Sequence, residues 1–358
     1  MAWLILLVGL VLLVVGADLL VRGAARLAAG FGVPALVIGL TVVAFGTSAP
    51  ELAVSIKSAY AGQAELAIAN VVGSNIFNIL FILGVAALIA PLVVSQQLIR
   101  QDVPIMVAVS AVAVFMISDG TIGKLEAALL VTGLLTYTGF LFFQGRKRGT
   151  DNVDPEIGAL IQEKSPLWRN LLLVVGGLIL LVLGARWLVQ SAVEIASAFG
   201  VSEAVIGLTI VAAGTSLPEV MTSVIATIKG ERDIAIGNVV GSNVFNLLSV
   251  LGLSGLVSPI PLEAGAQMAS IDLPVMLVVA MLCIPLFFVG ARLNRVDGLL
   301  FLTLYIAYVW YMVAVALTAD YLPGLQSAIL YGLVPIVVLY VSGSLGWDLY
   351  RRRSTRAS

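Results

Sequence analysis

The chain has 358 residues, 60% of them hydrophobic and 11% charged, with 19 Lys and Arg against 20 Asp and Glu. An ordinary soluble protein carries about 25% charged residues, so a set of soluble domains is excluded, and a net charge of −1 without a long basic stretch leaves no footprint for nucleic acid. With no histidine and one cysteine, Cys283, the chain has no intrachain disulfide, no ligand set for zinc, haem or iron–sulfur groups, and no Ser-His-Asp or Cys-His centre.

Apolar runs of about 20 residues recur from end to end, each long enough to cross a bilayer. They predict helices over 3–21, 33–59, 65–91, 103–118, 124–143, 169–190, 201–228, 233–258, 271–290, 297–318 and 325–346. Met1-Ala2-Trp3-Leu4 has no basic n-region, and the first positive charge, Arg22, follows the apolar run; this reads as a retained first span, not a cleaved signal peptide. Asp18 and Arg22 are one helical turn apart and are expected to pair. Asp102 and Asp272 each sit two residues before a proline and read as N-caps. The one long polar stretch, Gln144 to Lys164, is the natural linker, and Arg351-Arg352-Arg353 with Arg356 forms a basic tail. Cys283 and the scattered methionines read as packing residues.

Positive charges set the expected orientation. With the N-terminus outside, 16 of the 19 Lys and Arg fall on the inner side, and only Lys57, Lys124 and Arg186 face outward. The linker and the C-terminus are then cytoplasmic.

The strongest feature is internal. Gly39 to Gly84 aligns with Gly207 to Gly252 at a constant offset of 168, without a gap, with 25 identities in 46 positions. One block reads GLTVVAFGTSAPE and GLTIVAAGTSLPE; the other reads AIANVVGSNIFNIL and AIGNVVGSNVFNLL. Chance matching of apolar sequence yields Leu, Val and Ala coincidences, not paired Gly, Thr, Ser, Pro, Glu and Asn. The offset spans five predicted helices, an odd number, so the second copy enters the membrane from the opposite side, as in many secondary transporters.

Glu51 and Glu219 fall mid-span, where a carboxylate is costly and functional by default; the alternative is a protonated structural carboxyl bonded to a neighbouring helix. Pro50 and Pro218 lack an N–H and free the carbonyls of Gly46 and Gly214. The kink also leaves the carbonyls of Ala44 and Ala212 able to turn toward a site, beside the hydroxyls of Thr47, Ser48, Thr215 and Ser216. Ser74 and Asn78 share a helix face, as do Ser242 and Asn246. Asn70, Asn75, Asn238 and Asn243 read equally as site groups or as interhelical glue. Two carboxylates with amide, hydroxyl and carbonyl oxygens suit Ca²⁺, which takes 6–8 oxygens, and also suit Na⁺.

These paired blocks resemble the α-repeats of the calcium/cation antiporter superfamily, with the nearest likeness to prokaryotic sodium/calcium exchangers. The resemblance implies an all-α polytopic membrane protein of two inverted five-helix repeats, 1–143 and 169–318. A cytoplasmic linker, 144–168, would join them, and an eleventh helix with a basic tail, 319–358, would follow. It implies that Glu51 and Glu219 are the central carboxylate ligands. Thr47, Ser48, Ser74, Asn78 and the Ala44 carbonyl match the first-repeat oxygen ligands. Thr215, Ser216, Ser242 and the Ala212 carbonyl match the second, with Asn246 at a position that is Asp in potassium-dependent relatives. Asparagine there leans toward a potassium-independent exchanger. The Gly-Ser-Asn runs at 73–75 and 241–243 stand where proton-coupled relatives carry a Glu after Gly-Asn, which favours sodium. The resemblance further implies that the first and sixth helices slide as a pair across the rest, with Gly16-Ala17 and Gly184-Ala185 allowing close approach.

The expectation is an electrogenic Na⁺/Ca²⁺ antiporter of a prokaryotic plasma membrane. It would be no enzyme and hold no cofactor; its partners would be Ca²⁺ and Na⁺ as transported ions and the bilayer itself. An H⁺/Ca²⁺ exchanger, with Glu51 or Glu219 cycling protons, is the nearest rival; a passive cation channel and an intramembrane hydrolase are more distant ones.

Overall fold

The computed structural model describes residues 1–148, 166–199, 210 and 212–357. The apolar runs become helices α1 (Ala2–Phe31), α2 (Ala35–Thr47), α3 (Ala49–Tyr60), α4 (Ala64–Ile89), α5 (Leu98–Asp119), α6 (Lys124–Gly145), α7 (Leu167–Ala198), α8 (Leu217–Ile228), α9 (Arg232–Val257), α10 (Met268–Ala291), α11 (Arg295–Ala316) and α12 (Leu322–Arg352). Among the described residues nine are long and apolar enough to span a bilayer, or ten if α2 and α3, bent by 46°, form one broken span. The first part of the seventh predicted helix, 201–228, lies outside the described residues except for Ile210; its remainder is the turn Ala212–Gly214 and α8.

Several helices exceed their predicted ends, α1 and α7 by the most. α1 runs to Phe31 because Asp18 and Arg22 neutralise each other at 2.9 Å and the Ala- and Gly-rich stretch continues to Gly32, whose left-handed φ of 63° stops it. α7 likewise runs from Leu167 to Ala198. The N-cap reading of Asp102 and Asp272 is overturned: neither side chain makes a capping bond. Prolines 104 and 274 cannot donate, and the turn before each widens into π-helix (Leu98–Asp102, Met268–Asp272) instead of ending. Both carboxyls are buried inside the helix, and that of Asp272 accepts a 2.8 Å bond from Tyr308.

Two short antiparallel ribbons record the inversion. β1 (Leu92–Val93) pairs with β4 (Arg292–Leu293), and β2 (Thr121–Ile122) pairs with β3 (Leu262–Glu263). α5 separates β1 from β2, so the ribbons lie on opposite faces of the protein. β1 and β3 follow α4 and α9, the two helices that share the repeated sequence, yet they sit at opposite faces. α4 and α9 therefore run in opposite directions through the centre, with α9 enclosed along its whole apolar stretch.

α1 and α7 pack antiparallel along their lengths. A Cβ on Gly9 would lie 2.9 Å from the Gly184 carbonyl oxygen, and one on Gly16 would lie 2.8 Å from that of Gly177. Only hydrogen at these positions permits such backbone approach. α1 also packs along α8, and Asp18 is ion-paired with Lys229 at the end of α8. α12 attaches to the α10–α11 corner through Tyr340, which donates to Asp297 at 2.8 Å, and Arg352, which donates to the Phe288 carbonyl at 3.0 Å.

Candidate functional site

The breaks in the repeated helices fall where the prolines put them. α3 and α8 each begin afresh with proline in the first turn, and each carries its glutamate there, Glu51 and Glu219. A helix N-terminus leaves N–H groups without helical partners and favours a carboxylate. Both glutamates are fully buried (0% exposed).

Each carboxylate is held by the other repeat. Ser216 donates to Glu51 Oε1 at 2.8 Å, and Ser48 donates to Glu219 Oε1 at 3.0 Å. Ser216 also lies 3.1 Å from the hydroxyl of Ser74. Thr47 Oγ1 is 3.0 Å from Asn238 Oδ1, and Thr215 Oγ1 is 3.5 Å from Asn70 Oδ1. Asn70 and Asn238 donate to the main-chain carbonyls of Glu51 and Glu219 and to the hydroxyls of Ser55 and Ser223. Their amides thus brace the broken helices from within the same repeat. The Ala44 carbonyl already accepts from the Ser48 N–H at 3.0 Å and from Thr47 Oγ1 at 3.3 Å, and Ala212 opens the Ala212–Gly214 turn.

Four asparagines meet between α4 and α9. Asn75 and Asn243 donate to each other's main-chain carbonyls at 3.2 and 3.4 Å. Asn246 donates to Asn75 Oδ1 at 3.0 Å, and Asn78 donates to Asn243 Oδ1 at 3.1 Å. Asn78 and Asn246 each open a π-helical turn, Asn78–Leu83 and Asn246–Leu251, a distortion frequent at functional sites.

Buried polar atoms without a partner are expensive. Glu51 Oε2, Glu219 Oε2, Asn78 Oδ1, Asn246 Oδ1 and Ser242 Oγ are all buried and make no hydrogen bond. Other buried polar atoms, among them Tyr137 Oη, Thr222 Oγ1 and Ser254 Oγ, also make no hydrogen bond; these five are set apart by lying in the two repeated motifs. Among the described residues there is no cluster of three or more carboxylate, imidazole or thiol groups, so the site offers two carboxylates and otherwise neutral oxygen.

Of the residues the sequence singled out, hydrogen bonds join Ser48 to Glu219 and Ser216 to Glu51 and Ser74, and tie Asn78 and Asn246 into the asparagine cluster, while Ser242 Oγ is buried without a bond. Sequence reading left Asn70, Asn75, Asn238 and Asn243 undecided and gave no sign of the π-helical turns. Their one visible signal was exact repetition at both copies of the block. It also missed Met106 and Met276, whose sulfurs receive the amides of Asn243 and Asn75 at 3.6 and 3.8 Å. Those two methionines lie outside the repeated block.

The sequence matches the family described as sodium/calcium exchanger protein over residues 1–144 and 169–314. It is 37% identical to the putative antiporter CaxA of Alkalimonas amylolytica, over 86% of this chain and 97% of that protein. It is 35% identical to the sodium/calcium exchanger MaX1 of Methanosarcina acetivorans, over 85% of this chain and 96% of that one. The fold superposes on the solved sodium-calcium exchanger NCX_Mj with a TM-score of 0.74 at 31% identity, covering 88% of this chain and 98% of the other.

Proposed function

The chain belongs to the sodium/calcium exchanger family, a family of membrane transporters, and on that premise we propose that it exchanges Na⁺ for Ca²⁺ across a prokaryotic plasma membrane by alternating access. The observation that carries this reading is the set of five unpartnered oxygens of Glu51, Glu219, Asn78, Asn246 and Ser242, buried in the middle of the broken repeats. Two ionised glutamates balance one Ca²⁺, and the neighbouring hydroxyls and amides bring the oxygen count into the range that Ca²⁺ takes. Thr47, Ser48, Ser74, Thr215 and Ser216 complete the oxygen set, with the Ala44 and Ala212 carbonyls reached as the broken segments adjust. Na⁺ occupies the same oxygens in turn. If three Na⁺ replace one Ca²⁺, one net charge moves per cycle.

α1 and α7 form the moving pair. Gly46 and Gly214, just before the two breaks, lie against Leu178 and Val189 of α7, so movement of that helix reaches the site directly. The N-terminus lies outside and the C-terminus in the cytoplasm. The working units are 1–143 and 169–318, joined by the cytoplasmic linker 144–168 and followed by the segment 319–358.

The test is ⁴⁵Ca uptake into sodium-loaded proteoliposomes at clamped voltage and pH. Uptake that requires an outward sodium gradient, and that Glu51→Gln and Glu219→Gln each abolish, is the expected result. Uptake that ignores sodium and follows a pH step makes this a proton-coupled exchanger instead, and flux without any counter-ion makes it a channel.

A further inference from the structure

We infer that Asn75 and Asn243 are positioning residues that decide which atom of Asn246 and of Asn78 is turned toward the ion. This rests on the exchange reading above for what the ion is, and on the hydrogen-bond geometry for the rest.

An asparagine amide has one oxygen end and one nitrogen end of nearly equal shape, so its orientation is set only by its partners. Here the chain of partners starts from groups that have no choice. A main-chain carbonyl only accepts. The carbonyl of Asn243 therefore demands the nitrogen of Asn75, 3.2 Å away, and the sulfur of Met276 lies 3.8 Å from that same nitrogen. The oxygen of Asn75 must then face the other way, where it meets Asn246 at 3.0 Å. Asn246 must answer with its nitrogen, which leaves its oxygen as the free, buried end. The same logic runs in mirror image. The carbonyl of Asn75 takes the nitrogen of Asn243 at 3.4 Å, with Met106 sulfur 3.6 Å from it. The oxygen of Asn243 takes the nitrogen of Asn78 at 3.1 Å, and the oxygen of Asn78 is left free.

All four side chains are buried, between 0% and 1% exposed, where a reversed and mispaired amide is costly. Reversing Asn246 alone would set its oxygen 3.0 Å from that of Asn75 and turn an N–H₂ group toward a cation. Both ends of the Asn75 and Asn243 amides are already taken up by these bonds. Each acts across the repeat boundary, on an amide in the other half of the chain.

Aspartate makes this testable, because its two ends are both oxygen and it needs no orienting partner. Opposite an intact Asn75, however, one of those oxygens would face Asn75 Oδ1. The experiment reads the apparent KM for Ca²⁺ in sodium-driven uptake for wild type, Asn75→Leu, Asn246→Asp and the double variant, with thermal unfolding in detergent as the fold control. Asn75→Leu is expected to raise KM about tenfold, the scale of one misplaced buried hydrogen-bonding group, with the maximal rate per folded protein unchanged. Asn246→Asp is expected to improve KM at least about tenfold more in the Asn75→Leu background than in wild type. Equal effects in both backgrounds, within about twofold, would overturn the inference. The mirror pair, Asn243→Leu with Asn78→Asp, carries the same test if Asn75→Leu does not fold. Should neither leucine variant fold, these amides are framework and the inference fails. Wild-type uptake without a sodium requirement would instead refute the exchange reading, a result separable from an additive cycle.

Discussion

Ser48 donates its hydroxyl to Glu219, 171 positions away in the chain, at 3.0 Å. Its repeat counterpart Ser216 does the same for Glu51 at 2.8 Å. Each glutamate therefore points where the opposite repeat puts it. A hydrogen bond to a charged group contributes about 1.5–3 kcal/mol. Ser48→Ala and Ser216→Ala are each expected to raise the apparent KM for Ca²⁺ by about tenfold or more, and by similar factors, in proteoliposome uptake. A loss confined to one of the two would mean that the site is not shared evenly between the repeats.

Ion binding should be visible without transport. A ligand that binds only the folded state stabilises it by about 2.7 kcal/mol at a hundred times its Kd. Ca²⁺ is expected to raise the unfolding temperature of the purified protein by several degrees in a concentration-dependent manner, and Glu219→Gln to remove that shift while keeping a cooperative transition. An unchanged shift in Glu219→Gln would place the stabilising ion elsewhere.

Neighbouring glycines on α7 separate packing from propensity. A Cβ on Gly177 would come within 2.7 Å of the carbonyl oxygen of Gly16 and of the Leu20 nitrogen, whereas one on Gly176 meets nothing within 4 Å. Gly177→Ala is expected to destabilise by about 1–3 kcal/mol, since both close atoms are backbone. Gly176→Ala should be neutral or stabilise by up to about 1 kcal/mol through helix propensity. Thermal unfolding of the two variants, measured side by side, decides it.

Away from the site, Tyr308→Phe leaves the buried Asp272 without its 2.8 Å donor. The expected cost is about 1–3 kcal/mol of stability, with the KM for Ca²⁺ unchanged. A shifted KM would bring this pair into the transport path.

The parts of the molecule that were readable beforehand are those written twice. Glu51 and Glu219, with their prolines and flanking hydroxyls, stood out because a costly polar group recurred in one apolar setting, and the structure brings them together. Orientation within the asparagine cluster was not readable. The partner that fixes Asn75 is a main-chain carbonyl 168 residues away, and no local pattern reports it. Asp102 and Asp272 misled because a proline two positions on looks like a helix start, when here the chain was already helical and the preceding turn merely widened. The pairing of Asp18 with Arg22 was expected and is present, but it was read as the end of the first span, whereas α1 continues to Phe31.

The two small ribbons have a consequence for what counts as a folding unit. β1 finds its partner in β4 and β2 in β3, so among the described residues no strand of either half pairs within its own half. A half made alone would present an open edge on both sides of the membrane and a serine hydroxyl with no carboxylate to meet. Two copies of one half, inserted in opposite orientations, would satisfy the same bonds. The arrangement is the one that fusion of an antiparallel homodimer leaves behind. It makes the chain a candidate for assembly from two separately translated pieces, neither of them complete as a single copy.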